Sequence, residues 1–99
     1  MIFEIASITV KAGMEEEFEA GVAKAAPLFQ RARGCRSMKL QRSIETPSTY
    51  RLVVGWDTVE DHMVHFRNSD DFGEWRKLVS HSFECAPVVE HTSDVLDAF

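Results

Sequence analysis

Residues 56–79 read WDTVEDHMVHFRNSDDFGEWRKLV, and the fold turns on how this stretch is parsed. Trp56 ends the alternation Tyr50-Leu52-Val54-Trp56, the period-two signature of a strand. Asp57 or Thr58 then offers an N-cap, with Glu60 or Asp61 three residues on to complete a capping box. Met63 and Phe66, with Val59, give the helix that follows a buried side. Asn68-Ser69 breaks it. Ser69 caps a second helix, with Asp70 and Asp71 in a first turn where the helix dipole favours negative charge. Phe72, Trp75 and Val79 repeat along it at steps of three and four. The stretch is a strand end followed by a broken helix. It also holds both tryptophans and two of the four histidines.

Upstream, residues 49–56 form the strand that Trp56 closes, and residues 35–43 alternate as its hairpin partner across the turn Ile44–Ser48. Residues 14–32 carry Met14, Phe18, Val22, Ala25, Phe29 and Ala32 on one helical stripe, with Glu15, Glu16 and Glu17 at its start. Gly34 supplies a left-handed stop, and Pro27 is expected to kink the helix. Residues 2–10 read as a strand with Ile2, Ala6, Ile8 and Val10 on one face and Phe3, Ile5, Ser7 and Thr9 on the other. Downstream, residues 87–96 read as a last strand.

Strand, helix, strand, strand, broken helix, strand is the order of the ferredoxin-like split βαβ arrangement, an α+β fold. Its sheet is antiparallel in the order 4-1-3-2, with the helices on one face. Both faces of residues 2–10 are apolar, so the face without helices needs a cover. Two sheets packed face to face in a homodimer supply it, giving a dimeric α+β barrel.

Ninety-nine residues make one domain, spanning 1–99. The net charge of −5 leaves no basic footprint for nucleic acid or an anionic membrane. No apolar run reaches the roughly 18–20 residues of a membrane helix. The N-terminus alternates like a strand and lacks the basic region of a signal peptide. Cys35 and Cys85 are too few for a disulfide scaffold, sit in no CxxC pair, and start opposite edges of the expected sheet. A cytoplasmic protein with two free thiols is expected.

The pattern W-x-T-x-E at 56–60 followed by H-x-x-x-S-x-x-F at 65–72, in this order of elements, resembles the antibiotic biosynthesis monooxygenase domain over nearly the whole chain. The resemblance implies a dimeric α+β barrel. It also implies oxygenase chemistry on aromatic polyketides or quinols without a cofactor, although other branches degrade haem, isomerise signal molecules or have no settled activity. Trp56 matches a pocket tryptophan of the aromatic-polyketide oxygenases, and Arg76 falls where some of them place an arginine. His62 stands where they can carry a tyrosine, and Leu52 where they can have a pocket asparagine, so that polar contact is missing. Against the haem-degrading branch, Ser7 replaces an asparagine, Phe66 a tryptophan and Arg76 the iron-ligating histidine. Arginine does not ligate iron, and no cofactor is expected.

The candidate site follows from these readings. His62 and His65, three apart on a helix, share a face and suit proton transfer or substrate hydrogen bonding; no third ligand at fixed spacing supports a metal. Arg76 is the candidate charge stabiliser. Trp56, Phe66 and Trp75 are candidate walls for an aromatic ligand, with core packing the default role of such rings. Ser7 is expected to face the broken helix and leave room there. His81 and His91 read as structural or surface residues. The leading function is a cofactor-independent monooxygenase of a small aromatic, quinol or polyketide-like substrate; the alternative is a non-catalytic dimeric barrel that binds a small molecule or responds to stress.

Overall fold

The computed structural model describes residues 1–99. Strand β1 spans Ile2–Thr9, helix α1 Glu15–Gln30, β2 Cys35–Arg42 and β3 Thr49–Trp56. A π-helix, Asp61–Phe66, and helix α2, Asp70–Val79, cross back over the sheet. A short 3-10 turn, Ser80–Ser82, then leads to β4, Val88–Thr92. The sheet order is β2-β3-β1-β4, every neighbouring pair antiparallel, with the helices on one side. This is the expected ferredoxin-like arrangement.

The core lies between sheet and helices. Ala6 and Ile8 of β1 and Tyr50, Leu52, Val54 and Trp56 of β3 meet Phe18, Val22, Ala25 and Phe29 of α1, Phe66 of the π-helix, and Trp75 and Val79 of α2. Phe29 sits at the centre of an aromatic cluster, 4.8 Å from Phe66, 5.1 Å from Trp75 and 6.5 Å from Trp56 between ring centroids, separations at which aromatic pairs attract. Pro27 occupies the last turn of α1, which ends three residues later at Gln30, so few backbone bonds depend on it. Gly34 has φ +75°. A side chain there would collide with the Asp61 carboxylate as well, so glycine is required both by backbone sign and by space.

Four details differ from the sequence-based expectation. Met63 and Val59, expected on the buried side of the broken helix, are exposed, and Asp61, His62 and Phe66 are buried in their place; of the two expected N-caps it is Thr58 whose Oγ1 accepts from the Asp61 amide at 3.1 Å, while Asp57 pairs with Arg36, Oδ2 to Nη2 at 2.6 Å. The segment that follows closes with an i→i+5 bond, Arg67 N–H to the His62 carbonyl at 3.1 Å, so it is a π-helix and not an α-helix. Strand β4 ends at Thr92, leaving Val95 and Leu96 exposed beyond the sheet. Finally, the helix-facing column of β1 includes Glu4 with Ala6 and Ile8. Phe3, Ile5, Ser7 and Thr9 lie on the other, helix-free face. Ser7, expected beside the broken helix, is thus on the wrong side of the sheet and accepts from Arg51 Nη1 at 3.2 Å.

Ser69 caps α2 as expected: its Oγ accepts from the Phe72 amide at 3.3 Å and its hydroxyl donates to the Phe66 carbonyl at 2.6 Å. The two helical segments are thereby joined at a fixed angle. Cys35 and Cys85 are both free.

Candidate functional site

Between the sheet and the segment from the π-helix to β4 lies a cleft of about 310 Å³. Its floor is Glu4, Ala6 and Ile8 of β1 and Leu52 of β3. His62 and Arg67 close one side, Phe72, Trp75 and Arg76 the other, and Phe83, Ala86, Pro87 and Val89 the third. The volume suits one small ring system, and the lining is mostly apolar with a few convergent polar groups, as ligand sites are.

Two ionisable groups at its base are buried. Glu4 is 5% exposed and His62 also 5%. Their burial follows from two local geometries. Glu4 lies in the helix-facing column of β1, directly opposite Val54 of β3 and His91 of β4. His62 is turned inward by the π-helix: more than four residues per turn bring residues i and i+4 into line, so His62 and Phe66 both point at the core. The same widening throws residue i+3 off that line. His65, expected to share the face of His62, is exposed and takes no part in the cleft.

Trp56 Nε1–H donates to Glu4 Oε1 at 3.1 Å. His62 Nε2 lies 3.2 Å from the same oxygen. The His62 ring stacks on the Trp56 indole, 5.3 Å between centroids and 19° between planes. On its other side, His62 Nδ1 is 2.9 Å from His91 Nε2. A chain of polar atoms thus runs from the cleft floor through His62 to β4.

Burial is the largest influence on both groups. Desolvation pushes the Glu4 carboxyl up to about 7, against weaker lowering by the Trp56 hydrogen bond and the Arg67 charge. Desolvation pulls His62 down to about 4, helped by the His91 and Arg67 charges. His62 is therefore neutral at neutral pH, and its contact with Glu4 is a hydrogen-bonding contact between poised groups, not an ion pair. A carboxyl that titrates near neutrality in an apolar cleft has the properties of a general base.

Of the expected site residues, the structure brings Trp56, His62, Phe66, Trp75 and Arg76 to this region, and leaves His65 and Ser7 out of it. Trp56 and Phe66 stand behind the lining, Trp56 reaching it through Glu4 and His62. Trp75 and Arg76 line it directly. Glu4 and Arg67 were not anticipated, and neither was the placement of His91. The signal for Glu4 was its position: it is the one charged residue in the column Ile2-Glu4-Ala6-Ile8-Val10. No group of three or more histidine, cysteine, aspartate or glutamate side chains is placed to hold a metal. No helix is long and apolar enough to cross a membrane.

A family model for the antibiotic biosynthesis monooxygenases matches residues 1–78. The chain belongs to the antibiotic biosynthesis monooxygenase family. It is 37% identical over 95 residues to the uncharacterized protein YczJ of Bacillus subtilis (strain 168), covering 96% of this chain and 100% of YczJ. The crystal structure of a candidate antibiotic biosynthesis monooxygenase from Bordetella bronchiseptica is 60% identical and superposes with a TM-score of 0.95, over 96% of this chain and 97% of that one. A variant of SnoaB, a cofactor-independent oxygenase from Streptomyces nogalater, shares the fold at 16% identity with a TM-score of 0.83, over 98% of this chain and 95% of that one. Within this family fold, the Glu4–Trp56–His62 cluster lies in the matched residues, whereas β4 with His91 lies beyond them.

Proposed function

We propose that this family member is a cofactor-independent monooxygenase of a small ionisable aromatic, a quinol or polyketide-like phenol, bound in the cleft over Glu4. The observation that carries the reading is the buried carboxyl held near neutrality at the floor of an apolar cleft. Glu4 removes a phenolic proton. The resulting phenolate is electron-rich enough to reduce dioxygen directly, and the radical pair recombines as a ring peroxide. Loss of water leaves the product: a hydroquinone plus O₂ becomes a hydroxyquinone plus H₂O, one oxygen atom going to each.

Arg67 and Arg76 support the charge side of this reading. Both line the cleft and neither has a carboxylate within salt-bridge distance, although Arg31, Arg33, Arg36 and Arg42 all do. Both are exposed cations at the edge of the cleft, from which their charge can stabilise a phenolate or a reduced oxygen species. Trp75 and Phe72 supply aromatic walls, and the stacked Trp56 holds the His62 ring in place.

The functional unit in this reading is a homodimer through the helix-free sheet face, where Phe3, Ile5 and Val53 are only half-buried and Val88 is 71% exposed. The two free thiols support a reducing, cytoplasmic setting. One observation favours the alternative of a non-catalytic binder: the cleft floor at Leu52 is aliphatic, so a substrate carbonyl finds no donor there. The two readings separate in ¹⁸O₂. With metal-free, flavin-free protein and a panel of hydroquinones, the oxygenase reading expects oxygen uptake and one labelled atom in the product. Saturable binding with no uptake above the protein-free rate would establish the binder.

A further inference from the structure

We propose that His91 is the outer member of a proton relay, Glu4–His62–His91, which connects the cleft floor to the open edge of the sheet. It rests on the reading of Glu4 as the base and adds how that base is reset. Three observations carry it. The polar atoms are in sequence: Glu4 Oε1 to His62 Nε2 at 3.2 Å, and His62 Nδ1 to His91 Nε2 at 2.9 Å. Glu4 and His62 are buried, whereas His91 is only half-buried and sits on β4, an edge strand. With a substrate seated over it, Glu4 exchanges its proton with water through its hydrogen-bond partners, of which the Trp56 indole does not titrate, and no titratable side chain other than Glu4 and His91 contacts a His62 ring nitrogen.

The relay has two states. When Glu4 is ionised, His62 Nε2–H points at Oε1, His62 Nδ1 accepts from His91 Nε2–H, and His91 Nδ1 is bare. When Glu4 holds a proton, it donates to His62 Nε2; His62 Nδ1–H then donates to His91 Nε2, and His91 carries its own proton on Nδ1. Passing from the second state to the first moves three protons by one step each. The Glu4 proton goes to His62 Nε2, the His62 Nδ1 proton to His91 Nε2, and the His91 Nδ1 proton to water. One proton leaves, both rings end neutral, and Glu4 is again a base. In reverse, the relay returns a proton when oxygen is reduced to water. His62 is held below the ordinary histidine range by burial, so its ring passes the proton without storing a charge.

The groups around the relay are few. Arg67, the C-cap of the π-helix, acts on both Glu4 and His62, and Arg76 of α2 lines the same cleft. Trp56 of β3 donates to Glu4 but does not titrate, and the Cys35 thiol of β2 lies within the field of Glu4. Asp61, beside His62, is occupied by Arg33. On β4, Glu90 pairs opposite Ile5 and so faces the other side of the sheet. The α1 residue against this group is Phe29, which packs on Trp56.

The test is ¹⁵N NMR of histidine-labelled protein, without substrate, across the neutral range. The relay requires the two His62 ring nitrogens to exchange protonated and bare character as Glu4 titrates, with those of His91 exchanging in step. In His91→Phe the exchange is lost: His62 Nδ1 has no acceptor, so the ring stays protonated on Nε2, and the midpoint of Glu4 falls because its neutral form has lost that acceptor. His91→Gln restores the exchange, because an amide offers either a donor or an acceptor to Nδ1. A His62 that keeps one tautomer throughout the Glu4 titration overturns the relay. So does a His91→Phe protein that titrates like the wild type. These readouts do not depend on turnover. Tautomer exchange without oxygen uptake leaves the relay standing and removes the oxygenase reading; uptake without exchange does the reverse.

Discussion

Glu4 and His62 pull the pH dependence of stability in opposite directions. The Glu4 carboxyl is raised on folding from 4.5 to about 7, so its contribution is fully present below 4.5 and is lost as pH rises to about 7. His62 is lowered from 6.5 to about 4, so its contribution is present above 6.5 and is lost as pH falls to about 4. Over the shared window the two slopes offset each other. Glu4→Gln removes one of them. Denaturant titrations at mildly acidic and mildly alkaline pH should show the variant gaining on the wild type at the higher pH, by up to about 3 kcal/mol. An equal difference at both pH values would place the Glu4 carboxyl in water. Among the histidines, His62→Ala removes a buried ring stacked on Trp56, whereas His65→Ala removes an exposed one. Thermal melts should show the first destabilised by about 2 kcal/mol or more and the second within about 0.5.

At the scale of elements, the broken helix decides what the cleft contains. Its two halves are hinged on Ser69, whose side chain bonds to the end of one and the start of the other. Ser69→Ala should cost about 1 kcal/mol of stability and loosen the Phe72 wall, while Ser69→Asp should retain most of the cap; a pair of melts measures both. The four strands and two main helices were legible because each carries its own period and its own punctuation, as in the stripe Phe18-Val22-Ala25-Phe29 and the Ser69 cap. The π-helix was not. Its apolar spacing, Met63 to Phe66, reads as an ordinary α-turn, whereas the turn that forms buries Asp61, His62 and Phe66 and leaves Met63 exposed. The phase of β1 was ambiguous for a different reason. Both of its columns are apolar, so alternation alone could not say which faces the helices, and a one-residue choice moves every side chain. Ser7 was placed on the wrong face for that reason, and Glu4 was overlooked for the same one. His91 was illegible because its partner lies 29 residues away, across a pairing that only the sheet register creates.

At the scale of the molecule, the sheet's second face is the unfinished part. Phe3, Ile5 and Val53 are half-buried on neighbouring strands, and Met1 and Val88 extend the patch. A second copy facing it would bury about 2,000 Å² or more, as permanent homodimers do. Val53→Glu puts a charge at its centre. Light scattering at micromolar concentration should find the wild type dimeric and this variant shifted to monomer; a monomeric wild type would end the dimer proposal while leaving the cleft in each chain intact. The role of Glu4 as the base at the cleft floor is tested most directly by the pH dependence of oxygen uptake with a hydroquinone substrate. The rate should rise with pH through an inflection near 7 as Glu4 ionises, and Glu4→Gln should abolish both the inflection and most of the rate. A profile whose inflection survives in Glu4→Gln would exclude Glu4 as the base.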